Sequence, residues 1–176
     1  MQSVHNKPAR KGKPRLGRWL LNIALVLAVV TGLHWWQTRS LAEGRAPALS
    51  GELVSAEAFD LSRVRDRPIL VYFWATWCPI CKLEQGTIDA LAKDHPVVSV
   101  AWQSGDADRL RNYLVEQGLA FPTLPDPYGE HARRWGVRAV PASFVIDASG
   151  DVRFVEVGYT TGLGLRARMW AARHFD

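Results

Sequence analysis

The run Ile69-Leu70-Val71-Tyr72-Phe73-Trp74-Ala75-Thr76-Trp77-Cys78-Pro79-Ile80-Cys81 decides the fold. Its apolar first half, behind Pro68, is rich in strand formers and reads as a central strand buried on both faces. Its end opens a helix over Pro79 to about Lys93, with Ile80, Leu83, Ile88 and Leu91 on an apolar side. Pro79 suits the first helical position, where its missing N–H has no helical partner anyway. Residues i and i+3 of a helix lie about 5–6 Å apart at Cβ, so the sulfurs of Cys78 and Cys81 can meet. The N–H groups of Ile80 and Cys81 then point at the Cys78 sulfur and favour its thiolate. A thiol of pKa about 8.5 is only about 3% ionised at pH 7, whereas one of pKa about 6.5 is about 75% ionised. Cys81, one turn inside, is less exposed and less activated. Cys78 is therefore the expected attacker and Cys81 the resolving thiol.

Two plainer uses of the pair carry less weight. A structural bridge closing so short a loop stabilises by only about 1.9 kcal/mol in the loop-entropy account, a poor use of the chain's two cysteines. Two thiolates can hold Cu(I), or share zinc with His95 or His131, but neither histidine has ligand spacing to the pair. Redox chemistry is the better reading, with no metal and no cofactor called for. A copper-binding module without turnover is the alternative from another class.

Outward from the pair, strands and helices alternate. Val97–Trp102 reads as a second buried strand. Ser104-Gly105-Asp106 can cap a helix running to about Gln117 and ended by Gly118. Phe121–Leu124 is a short edge-like segment, and Gly129 to about Trp135 another helix. Ala142–Asp147 and Asp151–Val157 flank Ala148-Ser149-Gly150, a hairpin signal. Leu165 to about His174 closes the chain as a helix. The alternation predicts an α/β layered fold with helices on both faces of a mixed sheet.

Towards the N-terminus, Trp19–Trp36 contains 18 residues without Asp, Glu, Lys or Arg. As a helix it spans about 27 Å, near the about 30 Å of a bilayer's hydrocarbon. Trp19 at one end and Trp35-Trp36 at the other suit the two membrane interfaces. A buried core helix would show a polar face, and this stretch shows none. A cleaved signal peptide would use Ser40-Leu41-Ala42, but Trp35, Trp36 and Arg39 crowd that approach. The expected organisation is a basic cytoplasmic tail over 1–18, a transmembrane anchor over 19–36, a linker over 37–52 and a domain over 53–176. The anchor places the domain outside the cytoplasm.

Charge agrees with this order. The 176 residues carry 22 Lys+Arg against 17 Asp+Glu, a formal +5. Lys7, Arg10, Lys11, Lys13, Arg15 and Arg18 all precede the apolar span, with no acid among residues 1–18. The 16 remaining basic residues face 17 acidic ones, so the domain is near neutral and a nucleic-acid partner loses its support. The six early charges set topology instead. Arg63, Arg65, Arg67 and Arg133-Arg134 read as solvated faces, and Trp74 as core.

Phe73–Lys82 resembles the active-site signature of thioredoxins. Phe121-Pro122-Thr123-Leu124-Pro125-Asp126-Pro127-Tyr128-Gly129 and Gly136–Asp147 resemble the membrane-anchored TlpA/ResA branch. Gly158–Trp170, with Gln103-Ser104-Gly105-Asp106, is similar to the suppressor of copper sensitivity D proteins within it. The likeness runs from about Leu53 to the C-terminus. It implies a thioredoxin fold in the periplasm of a Gram-negative bacterium, tethered to the inner membrane. It also implies protein thiol or disulfide substrates, such as the haem-binding cysteines of apocytochrome c or copper-handling proteins. Relatives mostly reduce, which requires a membrane thiol electron donor.

The resemblance implies a cis Val140–Pro141 bond facing Cys78, whose turn bares the Val140 backbone to a substrate strand. Trp77, Pro79, Ile80 and Val140 are the expected substrate contacts, with Pro141 part of the reacting site. Many thioredoxins hold a buried Asp six residues before the first cysteine; here that position is Tyr72. Glu84, three residues after Cys81, matches an acidic residue of ResA-like proteins and is the expected proton acceptor, with a solvated surface residue as the plainer alternative. Gly86 stands where relatives commonly place a helix-bending proline.

Overall fold

The computed structural model describes residues 15–38, 41–64 and 66–174, without the side chains of 15–18 and 33–38. Two compact units divide the chain, Met1–Trp36 and Gln37–Asp176. Helix α1 (Arg15–Thr38), most of which falls in the first, contains the apolar stretch. Residues 1–14 of the expected tail, and the side chains at the C-terminal edge of the expected span, lie outside the described residues. Among the described residues no helix is long and apolar enough to cross a membrane.

The second unit contains, in chain order, β1 (Gly44–Arg45), β2 (Ser50–Glu52), β3 (Ala58–Asp60), β4 (Ile69–Trp74), α2 (Pro79–Ala92), β5 (Val97–Trp102) and α3 (Ala107–Gln117). It continues through β6 (Thr123–Asp126), α4 (Glu130–Arg134), β7 (Ala142–Ile146), β8 (Asp151–Val157) and α5 (Gly162–His174). The main sheet is ordered β1-β8-β7-β4-β5-β6, and β2-β3 form a separate hairpin. β4 pairs in parallel with β5, and β5 with β6; β7, β8 and β1 extend the other side antiparallel.

All six residues of β4 are buried, as its apolar run requires. Successive side chains of a strand point to opposite faces, so β4 anchors two cores. Leu70, Tyr72 and Trp74 face Ile88 and Leu91 of α2, Leu110 and Leu114 of α3, and Leu165 and Met169 of α5. Ile69, Val71 and Phe73 face Leu49, Leu61, Ala132 and Trp135. The three long helices thus share one face, while short α4 and the segment before β4 cover the other. Helices cover both faces of the mixed sheet, as expected, with the longer ones gathered on one. The steps from β4 to β5 to β6 run in one direction across the sheet, and right-handed crossovers then put α2 and α3 on the same side.

The segment expected to be a linker is corrected. Leu41 and Leu49 are buried, the Ala42 N–H donates to the Trp135 carbonyl at 3.1 Å, and β1 pairs with β8. Residues 41–52 therefore belong to the domain's fold, because single leucines rather than a periodic face tie them to it. Ser40, in the alternative cleavage site, lies outside the described residues.

Helix ends are held as the sequence suggests. Asp106, the last residue of the expected capping segment, caps α3, its Oδ1 accepting from the Arg109 N–H at 2.9 Å. Gly118 ends α3 at φ 65°, a left-handed conformation that costs glycine little.

Candidate functional site

Strand β4 delivers the cysteine pair to the edge of the sheet's core. Cys78 is the N-cap of α2 and Pro79 begins the helix, so the orphan N–H groups of the first turn surround one sulfur. The Cys81 N–H donates to Cys78 Sγ at 3.1 Å. Cys78 and Cys81 are joined as a disulfide with Cα atoms 5.3 Å apart. Both are buried, Cys81 completely. This contrast in position fits an outer, approachable sulfur and an inner one.

A second segment meets Cys78 from the sheet side. The Val140–Pro141 bond is cis, and the Val140 carbonyl oxygen lies 3.6 Å from Cys78 Sγ. The Pro141 carbonyl accepts from the Gly158 N–H at 2.8 Å, tying this loop to the end of β8. Val140 is half-buried, whereas Pro79 and Ile80 are exposed on the helix side. The site is thus a shallow sulfur flanked by reachable backbone.

Trp77 forms the third wall. It is 55% exposed, its ring contacts Trp102 edge-on at 5.9 Å, and its Nε1–H donates to the Gln103 carbonyl at 3.2 Å. Ser104 locks that arrangement, accepting from the Thr76 N–H at 3.0 Å and donating to the Trp102 carbonyl at 2.9 Å. Trp74, by contrast, is fully buried and donates through Nε1 to Ser99 Oγ at 3.0 Å. One tryptophan is surface and the other core.

Glu84 lies on the inner side of α2 and is completely buried. Its Oε1 accepts from the Thr160 N–H at 2.8 Å. Burial pushes its carboxyl up to about 7, against the opposing pull of the Thr160 N–H and the Tyr72 hydroxyl. The two acidic groups feel each other, and burial together with Glu84 drives the Tyr72 phenol far upward. Yet neither Tyr72 Oη nor Glu84 Oε2 completes a hydrogen bond of good geometry. A carboxyl titrating near neutral pH, one helical turn from Cys81, is suited to moving protons. A solvated surface role for Glu84 is excluded by its burial.

The structure brings Cys78, Cys81, Val140 and Pro141 together, with Glu84 behind them and Trp77, Pro79 and Ile80 at the rim. Sequence reasoning missed Ser104 and Gln103 as parts of the site frame. The Gln103-Ser104-Gly105-Asp106 stretch was the available signal, but its reading as a cap hid the contacts to Thr76 and Trp77.

Comparison with known proteins agrees with this geometry. Residues 43–155 match the model of the AhpC/TSA family. A thioredoxin-like protein of Haemophilus influenzae is 37% identical over 128 residues, covering 72% of this chain and 74% of its own. The thiol:disulfide interchange protein DsbE of Xylella fastidiosa is 29% identical over 166 residues, covering 88% and 84%. A crystal structure of a thiol:disulfide interchange protein of the thioredoxin family from Chlorobium tepidum superposes with a TM-score of 0.64 at 28% identity. It covers 75% of this chain and 97% of that one.

Proposed function

The chain belongs to the AhpC/TSA family as a thioredoxin-like thiol–disulfide oxidoreductase, and from that premise we propose that it works as a membrane-anchored reductant of protein disulfides outside the cytoplasm. The observation that carries the reading is Cys78 at the start of α2, bonded by the Cys81 N–H and flanked by Val140–Pro141.

In the reduced protein, the Cys78 thiolate attacks one sulfur of a substrate disulfide. A Cys78–substrate disulfide forms, the substrate's own S–S bond breaks, and the second substrate sulfur leaves as a thiolate. Glu84 takes the Cys81 proton, directly or through a water. The Cys81 thiolate then attacks Cys78, closes the Cys78–Cys81 bond and releases the first substrate sulfur. Two electrons pass to the substrate, and a membrane thiol donor restores the dithiol. Val140, with Pro141 behind it, offers backbone to the substrate strand, and Trp77, Pro79 and Ile80 contact its side chains.

The charge-free stretch over 19–36 and the six cations ahead of it support an inner-membrane anchor with residues 1–18 in the cytoplasm and the domain in the periplasm. Similarity to a DsbE protein supports a place in cytochrome c maturation. The resemblance of Gly158–Trp170 to suppressor of copper sensitivity D proteins supports copper-stress handling instead. Neither partner is a nucleic acid on this reading.

The test is turnover. The reduced full-length chain, supplied with a dithiol, should reduce insulin disulfides catalytically, and Cys78→Ser should abolish this. Tight stoichiometric Cu(I) binding with no disulfide reduction and no dithiol oxidation would instead establish a copper-binding module.

A further inference from the structure

A cleft of about 340 Å³ opens beside the cysteine pair, lined by Thr76, Trp77, Gln103, Ser104, Arg109 and Tyr113, with Gly105 at its edge. Arg109 is its one charged side chain. The aliphatic stem of Arg109 is laid across Gly105, where a Cβ would come within 2.6 Å of Arg109 Cδ. Gly105 has φ 101°, and the neighbouring Gln103 holds φ 46°, a conformation that non-glycine residues seldom adopt and that clusters at functional sites. That backbone turns the Gln103 carbonyl onto Trp77. The exposed guanidinium of Arg109 makes no ion pair among the described residues. The adjacent Asp108 is paired with Arg111, and Asp106 uses its carboxylate on the Arg109 backbone N–H.

Two more exposed cations without ion-pair partners among the described residues stand on the segments that carry the site. Lys82 is one turn into α2, and Arg138 lies two residues before Val140. On the remaining side the surface is apolar. Ile80, Leu83, Glu84 and Thr87 share one helical face of α2 by their spacing. Thr160 reaches Glu84 at 2.8 Å, and Gly162 packs so closely on Thr87 that a Cβ would meet its methyl at 3.0 Å. Tyr159 and Leu163, each next in sequence to one of these contacting residues, are exposed as Ile80 and Leu83 are. Leu83 and Leu163 are 75% and 81% exposed.

We propose that this face selects cysteine segments with an acidic residue on one flank, received by Arg109 in the Trp77 cleft, and apolar residues on the other, received by Ile80, Leu83, Tyr159 and Leu163. The inference rests on the thiol–disulfide exchange reading and names its substrate class. The occupant is a cysteine-bearing strand of the redox partner, because Trp77 of the cleft and Ile80 of the apolar side stand next to Cys78 and Cys81 in the chain, and Arg109, Lys82 and Arg138 are exposed cations without ion-pair partners among the described residues. Exposed ion pairs contribute up to about 1 kcal/mol, which corresponds to about a fivefold preference. The additional rim charges make association dependent on salt.

The full-length Cys81→Ser protein, loaded at Cys78 with a 2-thiopyridyl group, reports the selection. An attacking peptide thiolate forms the Cys78–peptide bond, breaks the Cys78–thiopyridyl bond and releases pyridine-2-thione. Nonapeptides carrying one cysteine would be compared with acidic/apolar, apolar/acidic, basic/apolar, apolar/basic and all-polar flanks. Each rate is divided by that of 2-mercaptoethanol on the same protein and by the peptide's own rate with 2,2′-dithiodipyridine. One acidic/apolar order should exceed its basic counterpart about fivefold at low salt, and the ratio should approach one at high salt. Arg109→Gln should collapse the acidic preference and Arg109→Lys should retain it. Leu83→Ser with Leu163→Ser should lower the apolar preference alone. Equal normalised rates for all peptides, or an acidic preference surviving Arg109→Gln, would overturn the selection and leave exchange intact. Absence of thione release with any thiol would instead overturn exchange.

Discussion

Glu84→Gln separates a buried titrating carboxyl from an inert structural one. Burial holds the Glu84 carboxyl at about 7 rather than at its ordinary 4.5. Between those values the folded protein keeps a proton that the unfolded chain has released. Stability therefore falls as pH rises through this interval, the reverse of the usual salt-bridged carboxylate. At about 1.36 kcal/mol per pH unit the full loss approaches about 3 kcal/mol, of which about 2.5 falls between pH ~5 and pH ~8. Glutamine does not titrate and keeps an acceptor for the Thr160 N–H. Urea unfolding of the oxidised full-length protein and of Glu84→Gln, at both pH values, reads the difference directly. The variant should gain on the parent by about 2.5 kcal/mol on moving to the higher pH. An unchanged difference between the two proteins would refute the buried, raised carboxyl and with it the proposed proton acceptor.

Tyr72→Phe removes a group that pulls Glu84 down, so the midpoint of that stability profile should move to higher pH; a downward move would refute the contact. Phe73→Ala should cost about 3–5 kcal/mol in urea unfolding, because its ring meets Trp135 at 5.6 Å and Phe144 at 5.7 Å in the core. A loss below about 1 kcal/mol would contradict that packing. Asp106→Ala deletes the α3 cap and should cost about 1 kcal/mol, with thione release from Cys78 measured alongside. Gly129→Ala places a Cβ 2.8 Å from Trp102 Nε1 at φ 69°, so it should perturb tryptophan fluorescence as well as lower stability. An unaltered spectrum would argue against the packing of Trp102.

The elements that were legible in the sequence are those whose residues carry their own reason. Strand β4 has an unbroken apolar run, α2 begins with a cysteine and a proline that suit its N-terminus, and α3 ends at Gly118. The first strands were not legible because β1 and β2 are two and three exposed residues long, and β1 draws its order from a partner more than a hundred positions away. Leu41 and Leu49 insert singly and leave no period. In the site, Cys78 and Cys81 announce themselves by spacing, whereas the burial of Glu84 depends on Thr160, 76 residues later, and on Tyr72. Gln103 gives no residue-type signal of its left-handed backbone, since side chains at such positions are usually glycine or asparagine.

The central claim is that Cys78 is the attacking sulfur and Cys81 the resolving one. Reciprocal Cys81→Ser and Cys78→Ser variants of the full-length chain, reduced and then exposed to a protein disulfide, test it by mass-spectrometric mapping of trapped mixed disulfides. The account predicts a stable adduct at Cys78 in Cys81→Ser and none in Cys78→Ser. Adducts formed only through Cys81, in Cys78→Ser, would contradict it.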